Sequence, residues 1–205
     1  MFPSMTQPWR EALAKYVRQN AKPPDKFSHQ ARLYRQATIL SEGRAFDDEV
    51  LYAAAWLHDL GVFIGHRPEA AAELAVWDHI QYAVGKLPEV LQKCGFPAGK
   101  VQAVIEAIRT HMPSGTPTSF EGALLRDADI LEQLGAVGIL RTVSKVGRDT
   151  RFIRFSDALL VLRRNLSELP GQLRLESARR EAAKRLHTLA EFLAAADAES
   201  GGLEW

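Results

Sequence analysis

Residues 53–61 read AAAWLHDLG, an apolar run that ends in two polar residues, His58 and Asp59, before Leu60 and Gly61. An imidazole beside a carboxylate is a donor pair suited to a borderline divalent ion such as Mn, Fe, Co, Ni or Zn. Mg is the harder, oxygen-favouring alternative. Neighbouring residues on a regular helix point about 100° apart. The pair can therefore share an ion only where the helix unwinds, and Gly61 is expected to act as the stop that allows it. A carboxylate at a helix C-terminus also faces the negative end of the macrodipole, at a cost of about 0.3 kcal/mol or more. A cation beside it would offset that cost.

Other residues of the same chemistry are spread along the chain. The six histidines are His29, His58, His66, His79, His111 and His187. The stretch RDAD adds Asp127 and Asp129, which point about 200° apart if helical and so do not reach one ion together. His111 ends a strongly periodic segment just before the loop MPSGTPTS, where a side chain can reach a pocket. His66 falls in the loop after the His-Asp pair and is expected at a pocket mouth or in solvent. His187, in AAKRLHTLAEF, reads as a surface or packing residue.

The elements that carry these residues are all predicted helical. Trp9, Leu13 and Val17 recur every four residues, and the two prolines of KPPDKF end that helix. A second helix is expected from Ser28 to about Gly43, and a third from DDEV, with Asp47 or Asp48 as its cap. The stretch 67–95 reads as two helices broken around Gly85 to Pro88. Val101, Val104, Ile105 and Ile108 mark another helix, 120–143 a continuous one, and two more complete the chain, the last from about Glu176. TRFIRFSD alternates like a short strand but stands alone, and no hairpin signal accompanies it. The expected fold is a single all-α domain. Residues 1–24 form an N-terminal helix on the core, 25–145 the core, 146–198 C-terminal helices, and 199–205 a tail. Leu186, Leu189 and Leu193 of the last helix suit either internal packing or a homodimer contact.

His29 in FSHQARLYRQA, His58-Asp59 in WLHDLG and Asp129 in RDADILEQLG resemble the H…HD…D signature of the HD-domain superfamily of helical, metal-dependent phosphohydrolases. The resemblance covers roughly residues 25–145. It implies an HD helical bundle with a C-terminal helical extension, and His29, His58 and Asp59 as metal ligands. Asp129 completes the set, because Ala128-Asp129-Ile130-Leu131 fits the family's Ala-Asp pattern. Asp127 is then a helix cap or a partner that orients a ligand. Some members hold a second ion on added histidines, for which His79 and His111 are the candidates. The stretch AIRTH is similar to the subfamily that hydrolyses symmetrical dinucleoside tetraphosphates. LLRDADILEQLGAVGILR is similar to small bacterial HD phosphohydrolases. One ion or two stays open.

The implied chemistry is hydrolysis of a nucleotide or another small phosphate ester by metal-activated water, with Asp59 as the catalytic carboxylate. A phosphate needs further positive charge, and Arg109 and Arg141 are the candidate substrate contacts, with Arg32 and Arg67 behind them. Two other readings share the ligand set: a regulatory HD domain with little catalysis, and a di-iron oxygenase-type HD protein.

The bulk composition narrows partners. With 26 basic and 25 acidic residues the net charge is +1, which gives no whole-chain case for nucleic acid or an anionic membrane. Hydrophobic residues are 46% of the 205, ordinary for a globular protein. No apolar run of about 18 residues occurs. The single cysteine, Cys94, makes no internal disulfide, and MFPSMTQPWREALAKYV has no basic-then-apolar signal pattern. The expected location is the cytoplasm and the expected partner a small phosphorylated substrate.

Overall fold

The computed structural model describes residues 7–201. Among these, ten α-helices and three 3-10 turns form, and no strand. The fold class is all-α, as the periodicities require. The helices are α1 (Pro8–Asn20), α2 (Asp25–Leu40), α3 (Asp48–Leu57), α4 (Ala71–Ala75), α5 (His79–Cys94), α6 (Val101–Arg109), α7 (Phe120–Glu132), α8 (Gly135–Val143), α9 (Phe155–Glu168) and α10 (Glu176–Ser200). No described helix is long and apolar enough to cross a membrane. The chain divides into two compact units, 1–126 and 127–205.

In the first unit α3 is the central element, with α1, α2 and α6 packed on it. Its sequence is apolar nearly all round because it is covered nearly all round: Val50, Leu51, Ala53, Ala54, Ala55, Trp56 and Leu57 are all buried. The three alanines have no exposed surface, and their small side chains let the neighbouring backbones approach. Each fully buried leucine contributes about 1.5–3 kcal/mol of transfer free energy. Asp47 caps the helix by accepting from the amides of Glu49 and Val50. Lys100 pairs with both Asp47 at 2.6 Å and Glu49 at 2.8 Å, which ties the start of α3 to the segment before α6. Trp9, Leu13 and Val17 of α1 are buried, as their spacing predicts, and α1 packs on α3 and α5.

In the second unit α10 packs on α8 and α9; its Ala178, Ala182, Leu189 and Leu193 are buried, and Leu186 is half-buried. His187 is exposed and pairs with Glu191 at 3.2 Å.

Several boundaries differ from expectation. α2 starts at Asp25 rather than Ser28, which brings Lys26 onto the helix. α5 runs straight through Gly85 and Pro88; the break falls earlier, at 76–78. Ala83, Leu87, Val90 and Leu91 keep a buried stripe going past the proline, whose ring lies on the exposed face. The stretch 120–143 is two helices, because Gly135 takes φ +66. A Cβ there would also lie 3.0 Å from that of Arg185. TRFIRFSD is not a strand: Phe152 is buried and α9 begins at Phe155. Glu199 and Ser200 of the expected tail are helical and Gly201 forms a turn, while 202–205 lie outside the described residues.

Gly61 is not a left-handed helix stop. It sits inside the 3-10 turn Leu60–Val62, and its need for glycine comes from packing. A Cβ would stand 2.3 Å from the carbonyl oxygen of His79. Trp77 donates to the Gly61 carbonyl at 2.8 Å. The start of α5 is thereby seated directly on the turn that follows Asp59.

Candidate metal centre

α3 ends at Leu57, and the two residues after it do the unwinding the chemistry needs. His58 keeps helical angles (φ −56, ψ −36), whereas Asp59 turns out at φ −90, ψ 8. The two side chains converge in consequence. His58 Nε2 lies 3.6 Å from Asp59 Oδ1, and His29 Nε2, on α2, lies 3.8 Å from Asp59 Oδ2. One ligand atom from each of His29, His58 and Asp59 falls within 4.8 Å of the other two. The His29 and His58 rings meet edge to face, centroids 5.3 Å apart.

Hydrogen bonding determines which nitrogen is available. His58 Nδ1 is 3.0 Å from the Ala55 carbonyl, which can only accept, so Nδ1 carries the proton. In the neutral imidazole Nε2 is then the nitrogen left with a lone pair. It is buried and has no hydrogen-bond partner. In that form a lone pair faces a carboxylate oxygen in a buried place, which is unfavourable by itself. A cation between the two nitrogens and the carboxylate removes that conflict, and a second ring nitrogen held by a carbonyl is the usual support of a metal-bound histidine. The donor set of two imidazoles and one carboxylate therefore fits a divalent metal ion.

His111 lies beside this group. It follows α6, is buried, and its Nδ1 donates to the Ile108 carbonyl at 2.6 Å, the same device as in His58. Its ring centroid is 5.1 Å from that of His58. His79 is the first residue of α5, and its backbone is what crowds Gly61.

The remaining candidates have other surroundings. Asp129, in the second unit, is half-buried, and its Oδ2 accepts from Gln133 at 3.4 Å. Asp127 has no exposed surface; its Oδ2 accepts from the amides of Arg174 at 2.8 Å and Leu175 at 2.7 Å, at the entry to α10. Arg109 is on an exposed face and pairs with Glu106 at 2.9 Å. Arg141 lies 3.6 Å from the carboxylate of buried Glu132 and donates to its carbonyl. His66 is half-buried rather than free in solvent. Tyr82 and Asn20 occupy its two ring nitrogens at 3.0 and 2.9 Å, tying the loop after Gly61 to α1 and α5.

Sequence reasoning missed Lys26. Its Nζ lies 3.4 Å from Asp59 Oδ2. The signal was its place three residues before His29, on the same helical face, hidden by starting the helix too late.

The model of the HD domain family matches residues 27–134. A structure of Bacillus subtilis YpgQ in complex with ADP aligns with TM-score 0.71 and 20% identity, over 94% of this chain and 98% of that one. A Lactobacillus plantarum protein aligns with TM-score 0.72 and 21% identity, over 97% and 100%. A predicted HD superfamily hydrolase from an uncultured Thermotogales bacterium is 28% identical, with TM-score 0.63 over 92% and 91%. Among curated proteins, none matches. With its His-Asp turn, the partnering histidine on α2 and a family match over more than half its length, the chain belongs to the HD domain family.

Proposed function

We propose that this protein is a metal-dependent hydrolase that cleaves a phosphate ester or anhydride bond of a nucleotide or similar small substrate. Family membership and the His29–His58–Asp59 group support the coarser part, a metal-dependent HD hydrolase. The observation that carries it is the buried Nε2 of His58, without a hydrogen-bond partner and facing Asp59 beside His29, a donor set that a divalent cation would satisfy. The finer part, phosphate chemistry, draws on the ammonium of Lys26 at the same carboxylate and on the ADP complex of YpgQ.

When bound, a divalent ion supplies Lewis acidity, polarising a phosphoryl oxygen and bringing the pKa of water to about 7. The chain's own residues do the rest. His29 and His58 would hold the ion through Nε2, and the Ala55 carbonyl holds the His58 ring in the tautomer this needs. Asp59 binds through its carboxylate and accepts the hydrogen bond that orients the attacking water. The water oxygen forms a new bond to phosphorus as the ester or anhydride P–O bond breaks, and the proton that the water loses passes to the leaving oxygen. His79, like His111, is a candidate ligand for a second ion in this proposal. His111 supports a second ion, because its Nδ1 is tied to a carbonyl beside His58.

The test is a screen of purified protein with Mn, Co, Ni, Fe and Mg against phosphomonoesters and nucleotides. Release of phosphate or pyrophosphate with at least one metal, lost in His58→Ala, is expected. Tight metal binding without turnover in any metal points instead to a regulatory domain. Oxygen uptake by the iron form points to an oxygenase.

A further inference from the structure

We infer that Lys26 is an exchangeable cation of this site: it neutralises Asp59 when no metal is present and moves to the substrate's phosphate once a metal is bound. The inference rests on the metal-dependent phosphohydrolase reading above and adds a residue and a sequence of events to it.

The geometry begins with the helix. α2 starts at Asp25, so Lys26 and His29 are three apart and share a face. Both reach one oxygen. Asp59 Oδ2 has the Lys26 ammonium at 3.4 Å and His29 Nε2 at 3.8 Å. Oδ1 is turned to His58. A metal ion held by His29 and Asp59 thus takes up the side of the carboxylate that Lys26 now faces. Two cations against one carboxylate repel, and the ammonium is the one able to leave. It sits on a flexible four-carbon stem and is 26% exposed, against 14% for Asp59 and 2% for His29.

The ligand class follows from where the ammonium is left. It stands at the rim of a metal site whose substrate must present anionic oxygen to the ion. A lysine ammonium is a compact charge with three rotatable donors, suited to a phosphate group that offers several equivalent oxygens. The arginines expected to do this have other partners: Arg109 pairs with Glu106 on an exposed face, and Arg141 with Glu132. Lys26 is a cation that the structure sets against the Asp59 carboxylate.

This exchange makes a prediction that a purely structural lysine does not share: removing the charge moves two affinities in opposite directions. Metal-free protein is titrated with Mn²⁺ by calorimetry, and the Mn²⁺-loaded protein is then titrated with inorganic phosphate. Lys26→Gln is expected to bind Mn²⁺ about three- to tenfold more tightly, because a competing cation is gone. It is expected to bind phosphate about tenfold more weakly, because a charge-assisted hydrogen bond is gone. Lys26→Arg, which keeps the charge, is expected to stay near wild type in phosphate affinity. Mn²⁺ affinity that falls or stays level in Lys26→Gln overturns the inference, as does unchanged phosphate affinity. Those results leave the metal reading standing if wild type binds both ligands. Wild type that takes up no Mn²⁺ overturns both.

Discussion

Asp59 and Asp127 are both carboxylates of the HD core, and their surroundings are opposite. Asp127 is fully buried and satisfied from within the protein by two backbone amides at 2.8 and 2.7 Å. Asp59 is slightly exposed and faces two imidazole nitrogens at 3.6 and 3.8 Å, one of which belongs to a ring whose other nitrogen already holds the proton. A group that completes its hydrogen bonds internally is there for the fold. One set against two imidazole nitrogens beyond hydrogen-bond distance has the donor geometry of a metal ligand. The same contrast separates Arg141, which compensates buried Glu132, from Lys26, which reaches the Asp59 carboxylate.

The contrast breaks most sharply under substitution. Asp59→Ala should lower turnover at least ~100-fold, since loss of the ion removes several kcal/mol of transition-state stabilisation. It should change the stability of the metal-free protein by under ~1 kcal/mol, because the Lys26 pair it breaks is partly exposed. Steady-state kinetics and urea unfolding read the two effects. Asp127→Ala should do the reverse. It leaves two amides unsatisfied at the entry to α10 and should cost about 2–4 kcal/mol in the same unfolding experiment. Correctly folded Asp127→Ala should keep its metal affinity; loss of the metal with stability intact would move Asp127 into the ligand set.

Gly61→Ala tests the link between the His-Asp turn and α5. The added methyl meets the His79 carbonyl, which is backbone and cannot rotate away. About 1–3 kcal/mol of destabilisation is expected, seen as a lower thermal midpoint. A neutral result would mean that α5 is not seated on this turn.

The smallest effect concerns His66. Burial pushes its imidazole below the ordinary value of 6.5, and the nearby charge of Lys86 adds to this. Tyr82 and Asn20 occupy its ring nitrogens, and Phe63 packs on the ring. As pH falls, the unfolded chain therefore takes up the proton before the folded one does. The stabilisation is complete above pH 6.5 and is lost as pH drops from there through the lower folded value. His66→Gln should flatten this part of the stability profile measured by urea unfolding between pH 5 and 8. An unchanged slope would show that His66 does not contribute to it.

What could be read from the sequence follows the same division. The all-helical class was legible because Trp9, Leu13 and Val17, or Val104, Ile105 and Ile108, show helical periodicity without any tertiary information. The His29, His58 and Asp59 cluster was legible through the ordered signature, since donor types and helix ends are written locally. Features that depend on packing were not. Gly61 looked like a stop because a glycine after a helix usually is one; only the neighbouring His79 backbone reveals its use. Pro88 looked like a break because the buried stripe on either side outweighs its missing amide only once that stripe has a partner. Lys26 went unnoticed because a shift of three residues in the start of α2 decided whether it stood on the helix.

The most direct measurement is anomalous diffraction from crystals of the protein grown with Mn²⁺. The account predicts a peak bonded to His29 Nε2, His58 Nε2 and the Asp59 carboxylate, with the Nδ1 of His58 still held by the Ala55 carbonyl. An Mn²⁺ peak elsewhere, with Nε2 of His58 remaining without a partner, would contradict it.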